Sequence, residues 1–114
     1  MSSDGAYSSG ASGFSGGGLS SSDAISIDGA GNAWAGGYVG KNLVEFSNAG
    51  VVLSGANGYS GAGFYYDNSI AIDGSGDVWT THGGHSVNEM IGAAVPVVTP
   101  LSVGVKNNTL GTRP

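Results

Sequence analysis

Two histidines, His82 and His85, are the only imidazoles in a chain of 114 residues, and they flank the pair Gly83-Gly84. Neutral imidazole is a good ligand for borderline metals such as Zn²⁺, and a diglycine spacer lets both rings turn toward one ion. Either ring would then act as a metal ligand or as a general base beside the metal. The same four residues equally suit a polar turn whose side chains cap backbone groups. Asp23 and Asn68 form a second donor set of carboxylate and amide oxygens. That chemistry suits a hard cation such as Ca²⁺, or simply fastens the turn leading into a strand. Tyr38, Tyr65 and Tyr66 are candidates for walling a small-molecule substrate beside these groups.

The composition narrows the partners. Charged residues are only 10% of the chain, the net charge is −5, and Lys41, Lys106 and Arg113 are the only strong cations. Nucleic acids and anionic membranes are therefore poor partners, because both require a basic surface. No cysteine is present, so neither disulfides nor thiolate chemistry is available. No G-x-S-x-G elbow occurs, which leaves a serine-hydrolase reading unsupported. Residues 1–10 lack the basic and apolar regions of a signal peptide, and no apolar run is long enough to span a bilayer.

What must position the candidate residues is a repeat. Sliding the chain by 45 residues lays 10–40 over 55–85: "GASGFSGGGL" over "GANGYSGAGF", and "AISIDGAGNAW" over "SIAIDGSGDVW". One residue then drops out, and "LVEF" meets "VNEM", with Glu45 over Glu89 and Phe46 over Met90. Residues 1–9 fall on 46–54, the end of a repeat. A period in the forties made of short strands predicts propeller blades. Within a period, strands are expected at 24–27 and 69–72, then 33–36 and 78–81, then 43–46 and 87–90, with a fourth at 51–54. The D-G-x-G turns at 28–32 and 73–77 place glycine where a hairpin needs positive φ. They lack the ligand spacing of a Ca²⁺ loop and read as structural. Trp34 and Trp79, at equivalent positions, are expected in the core between blades, and Glu45 and Glu89 in solvent. Three segments follow: 1–22 as an outer strand plus crossing, 23–67 as a first full blade, and 68–114 as a second blade plus tail.

The motifs "AIDGSGDVW…SVNEM" and "SIDGAGNAW…LVEFSNAG" resemble NHL-type repeats of bacterial NHL and streptogramin-lyase-like proteins, over nearly the whole chain. The resemblance implies a six-bladed propeller, of which this chain would be a C-terminal two-blade fragment. It also implies a bacterial origin, secreted or periplasmic if the chain belongs to a larger parent. In such a fold the starts of the inner strands and the second-to-third loops share one face. Asp23, Asn68, Tyr38, the tyrosine pair and both histidines would then meet at one channel mouth. Six-bladed lactonases and organophosphatases resemble this arrangement, with oxygens around an axial Ca²⁺. Only Asp23 and Asn68 match their pattern, and no glutamate stands on an inner strand.

Two blades alone leave broad apolar faces uncovered, and a short chain tolerates that poorly. Cyclic self-association removes such faces. The expectation is an all-β protein with two four-stranded blades per chain, closing as a homotrimer into a six-bladed propeller. Residues 5–9 would pair with the second blade of a neighbouring copy. The expected function is metal-dependent hydrolysis of small esters (phosphotriester, lactone or carboxyl ester) with Zn²⁺ or Ca²⁺ at the mouth. The alternative is a non-catalytic binding or assembly module.

Overall fold

The computed structural model describes residues 5–61, 64, 67–83 and 86–98, with Asp67 and Asn68 described through their backbone alone. The described residues are all-β. Six strands, β1 (Ser22–Ile27), β2 (Ala33–Gly37), β3 (Asn42–Phe46), β4 (Asp67–Ile72), β5 (Val78–His82) and β6 (Val87–Met90), form two antiparallel sheets, β1-β2-β3 and β4-β5-β6. The six inner segments expected from the repeat are therefore strands, each within two residues of the expected bounds.

The tight turns follow from the aspartates that open them. Asp28 Oδ1 accepts from the Ala30 and Asn32 amides, both at 2.9 Å, and Asp73 Oδ1 accepts from Ser75 and Asp77 at 2.9 and 3.0 Å. An aspartate bonded to the amide two residues on mimics a backbone turn. Gly31 and Gly76 then each adopt a φ of +84°, a conformation that side chains resist.

The expected fourth strand is not a strand. On the outer edge of β3, pairing is reduced to two isolated bridges, Phe46 with Val52 and Leu43 with Tyr59. Between them the Glu45 amide donates to the Ser54 hydroxyl at 3.0 Å. A side chain has replaced a backbone carbonyl, and the ladder stops there. On β6 no described segment pairs with the outer edge. Instead residues 94–97 run back across both hairpin turns. Gly29 N–H donates to Val95 O, Ala94 N–H to Gly76 O, and Val97 N–H to Asp73 O. A Cβ on Gly29 would collide with the Pro96 carbonyl oxygen, so the turn receives this strap only as glycine.

The strap fixes the orientation of the sheets. Both turns touch one segment, so both lie at one end of the molecule. The starts of β1 and β4 and the far ends of β2 and β5 therefore lie at the other.

The register assigns each side chain to a sheet face. In the first sheet Ala24, Ser26, Trp34, Gly36, Leu43 and Glu45 share one side, here the Trp face. Ile25, Ile27, Ala33, Ala35, Val44 and Phe46 share the other, the Ile face. In the second sheet the Ile face carries Ile70, Ile72, Val78, Thr80, Asn88 and Met90. The core is the Trp face of sheet one stacked on the Ile face of sheet two: Trp34, Leu43, Phe64, Ile70 and Val78, with Tyr59, Ile72 and Met90 around them. Burying these side chains is the main favourable term holding the sheets together, at about 25 cal/mol per Å² of apolar surface.

Candidate functional site

The expected site residues that the structure describes fall at the end opposite the strap. The pairing of β1 with β2 shifts register between Ser22 and Ala24, and that of β4 with β5 shifts between Asp67 and Ser69. Asp23 and Asn68 thus occupy equivalent bulges on adjacent inner strands, a device that re-aims side chains. Asp23 is exposed. Two non-glycine residues at the same end hold left-handed backbone, Ser21 at φ +51° and Lys41 at φ +52°. Such conformations persist only where neighbours enforce them. Here the Tyr38 amide donates to Ser21 O at 3.0 Å and the Lys41 amide to Gly37 O at 2.9 Å.

His82 closes β5 as the register partner of Asp67, and its Nε2 shares a 3.0 Å hydrogen bond with Ser86 Oγ. Tyr38 lies on the β2–β3 turn, partly exposed. The structure therefore brings Asp23, Tyr38, His82 and the backbone of Asn68 to one end of the two sheets. His85, Tyr65 and Tyr66 lie outside the described residues, as does the Asn68 side chain. Among the described residues, no group of three or more His, Asp and Glu side chains converges in a way that would hold a metal ion. A groove of about 490 Å³ lies elsewhere: Phe14, Leu19, Ile25, Ala35 and Phe46 line it, on the Ile face of the first sheet.

A second polar group was not anticipated. Glu45, expected in solvent, is buried, and its Oε2 accepts from the Tyr59 hydroxyl at 3.1 Å. Asn32 Nδ2 donates both to Glu45 Oε1 at 3.3 Å and to Asp28 Oδ2 at 3.2 Å. The Trp34 indole N–H donates to the same Asp28 oxygen at 3.2 Å, and the Tyr59 ring stacks on Trp34 with centroids 5.5 Å apart. The clue in the sequence was that Glu45 shares the Trp face with Trp34. Its repeat mate Glu89 is exposed as expected. The second repeat preserves only part of the network. Trp79 Nε1 donates to Asp73 Oδ2 at 3.0 Å, while Asp77, which replaces Asn32, accepts from the Gly92 amide.

Electrostatics follow the contacts. Burial pushes the Glu45 carboxyl above its ordinary range, and the negative Asp28 adds to this; the bonds from Tyr59 and Asn32 offset only part of it. Burial also acts upward on Asp28, but the donors Asn32, Trp34, Ala30 and Val95 outweigh it and hold Asp28 below its ordinary value. The Trp79 indole and the Asp77 and Ser75 amides similarly hold Asp73 low. Tyr59 is raised by burial and by the neighbouring carboxylate. Since Glu45 is sealed within the seam, its role is that of a brace.

No protein-family model and no curated protein sequence matches this chain.

The Glu45 environment has a signed consequence. A carboxyl whose pKa is higher when folded contributes most stability below its unfolded value, and that contribution declines as pH rises through the folded value. Stability should therefore fall across a window opening near pH 4.5, the ordinary glutamate value, and extending upward. Glu45→Gln should lose this decline, so that its urea stability relative to the parent improves from pH 4 to pH 7. A difference that stays constant with pH would remove Glu45 as its source.

Proposed function

We propose that this chain is an assembly module of the β-propeller kind, in which copies join head to tail through the faces that already join its two sheets. One observation carries this reading: the Trp face that the seam covers is repeated, uncovered, on the second sheet, and the Ile face is repeated on the first sheet with Ile25 and Ile27 exposed beside the buried Ala35, Val44 and Phe46. Ile70 is 8% exposed in the seam, whereas Ile25, 45 residues earlier, is 68% exposed. Trp34 is fully buried in the seam, whereas its equivalent Trp79 is 39% exposed. Around Trp79 the remaining members of the second Trp face, Ser69, Ala71, Thr81, Val87 and Glu89, are all exposed. They match Ala24, Ser26, Gly36, Leu43 and Glu45 of the covered face.

A surface that fits a different surface on the same molecule makes a heterologous contact, which closes into a ring or continues as a filament. With propeller geometry, three copies close a ring of six blades, the number that the likeness to NHL repeats implies. The ring would carry three sets of Asp23, Tyr38 and His82 around one opening, a mouth suited to a small ligand. The test uses blocked ends. Ile25→Glu and Trp79→Glu should each be smaller than the parent in light scattering, and an equimolar mixture should form one-to-one dimers through the two intact faces. Variants that keep the parent's mass would defeat the reading. So would an unsubstituted chain that is monomeric with Trp79 shielded, which would assign that face to residues 99–114.

A second reading, metal-dependent hydrolysis of small esters, is favoured by the paired bulges that set Asp23 and Asn68 on adjacent inner strands at the His82 end. Asp23 and His82 supply an oxygen and a nitrogen donor that suit Ca²⁺ or Zn²⁺. Such a cation supplies polarisation of a carbonyl or phosphoryl oxygen. His82 would sit as a ligand or a base, and Tyr38 beside the substrate. Protein purified without added metal should then hold a divalent ion, and Asp23→Ala and His82→Ala should lower both that content and the hydrolysis of aryl esters or lactones. Hydrolysis indifferent to exhaustive chelation would sink this second reading.

A further inference from the structure

Outside the seam, the outer edge of β6 has no strand partner among the described residues, and the repeat indicates what covers it. On the first sheet the corresponding edge of β3 is held at two points: Phe46 bridges Val52, and Leu43 exchanges both backbone hydrogen bonds with Tyr59 at 2.8 Å. From this second point Tyr59 lays its ring on Trp34. The β6 equivalents of Phe46 and Leu43 are Met90 and Val87. Forty-five residues before Val52 and Tyr59 stand Tyr7 and Phe14. All four members of the second set are present in the chain, but at its opposite ends.

We infer that residues 7–14 of a second copy dock along the edge of β6, with Tyr7 opposite Met90, Phe14 opposite Val87, and the Phe14 ring on Trp79. This inference rests on the head-to-tail association above and names its clasp. Phe14 is already placed for the role. Its ring sits where a Cβ on Gly50 would strike it, and Gly50 corresponds to Ala94, which belongs with Tyr59 to the seam around the core. Leu19, the equivalent of the buried Phe64, lines the groove beside Ile25. Phe14 and Leu19 therefore hold the same relation to their own first sheet that Tyr59 and Phe64 hold to the second. Trp79 of an arriving copy would slide under Phe14 without unfolding it. Phe14, Tyr7, Val87 and Trp79 are all exposed in the single chain, which is what a clasp awaiting its partner requires. Phe14 differs from Tyr59 only in lacking a hydroxyl, so the clasp between copies forms without the carboxylate bond that Tyr59 makes.

Because the chain has no cysteine, a single engineered pair reports the contact. A hydrogen-bonded antiparallel pair sets Cα atoms about 5.5 Å apart, within disulfide reach. Phe14→Cys combined with Val87→Cys, oxidised with glutathione disulfide at micromolar protein, should give covalent multimers on a non-reducing gel. Leu43→Cys with Tyr59→Cys should cross-link within the single chain. The native mass of the reduced Phe14/Val87 variant is measured alongside. Association without an interchain cross-link, or a cross-link within one chain, overturns the clasp and leaves head-to-tail association standing. A monomeric mass for both the variant and the parent overturns the two together. Positions 14 and 87 are both exposed, so the substitutions should leave the fold of each copy intact.

Discussion

The stacking of one sheet's Trp face on the other's Ile face is the interaction on which this structure depends. Each sheet has only three strands, and neither has an apolar interior of its own. Trp34, Leu43, Phe64, Ile70 and Val78 become a core only because the two sheets meet. Everything that braces the seam is arranged about Trp34. Tyr59 covers its ring, Asp28 takes its indole proton, and Asn32 joins Asp28 to Glu45, which in turn holds the Tyr59 hydroxyl. Buried polar groups are tolerated when they satisfy one another, and this chain of bonds nearly closes on itself.

The duplication makes that seam a statement about surfaces as well as about the core. Two copies of one sheet-forming sequence, stacked face to back, leave one copy of each face outside the seam, the first Ile face being partly covered by its own chain at Ala35, Val44 and Phe46. Ile25 and Ile27 are as apolar as Ile70 and Ile72, and Trp79 is the same residue as Trp34; only their neighbours differ. The strap at 94–97 adds a constraint of its own. By spanning the turns of both sheets it ties the two sheets together at one end.

The positions of the strands were legible because alternating Ile and Val, aspartate-glycine turns and a 45-residue offset all mark the same boundaries. The outer strand was not legible. Val51, Val52 and Leu53 have strand character, but a serine hydroxyl takes the place of a ladder carbonyl, and composition does not reveal that substitution. The burial of Glu45 is hidden in the sequence for a related reason. A glutamate in a third strand reads as solvated until the register places it beside Trp34, with Tyr59 arriving from a distant loop. For the candidate site, the offset between Asp23 and Asn68 was visible in the sequence; that both would be bulge residues was not, since a one-residue register shift leaves little trace in residue type. His82 was expected in a loop and instead ends β5, bonded to Ser86.

The central claim concerns how surfaces that are equivalent in sequence come to be covered, and the native mass of the unmodified chain in dilute solution tests it most directly. Head-to-tail closure predicts a discrete species of about three times the 11.1 kDa chain mass, stable on dilution through the micromolar range. A single species of chain mass, folded and unchanged by concentration, would contradict it.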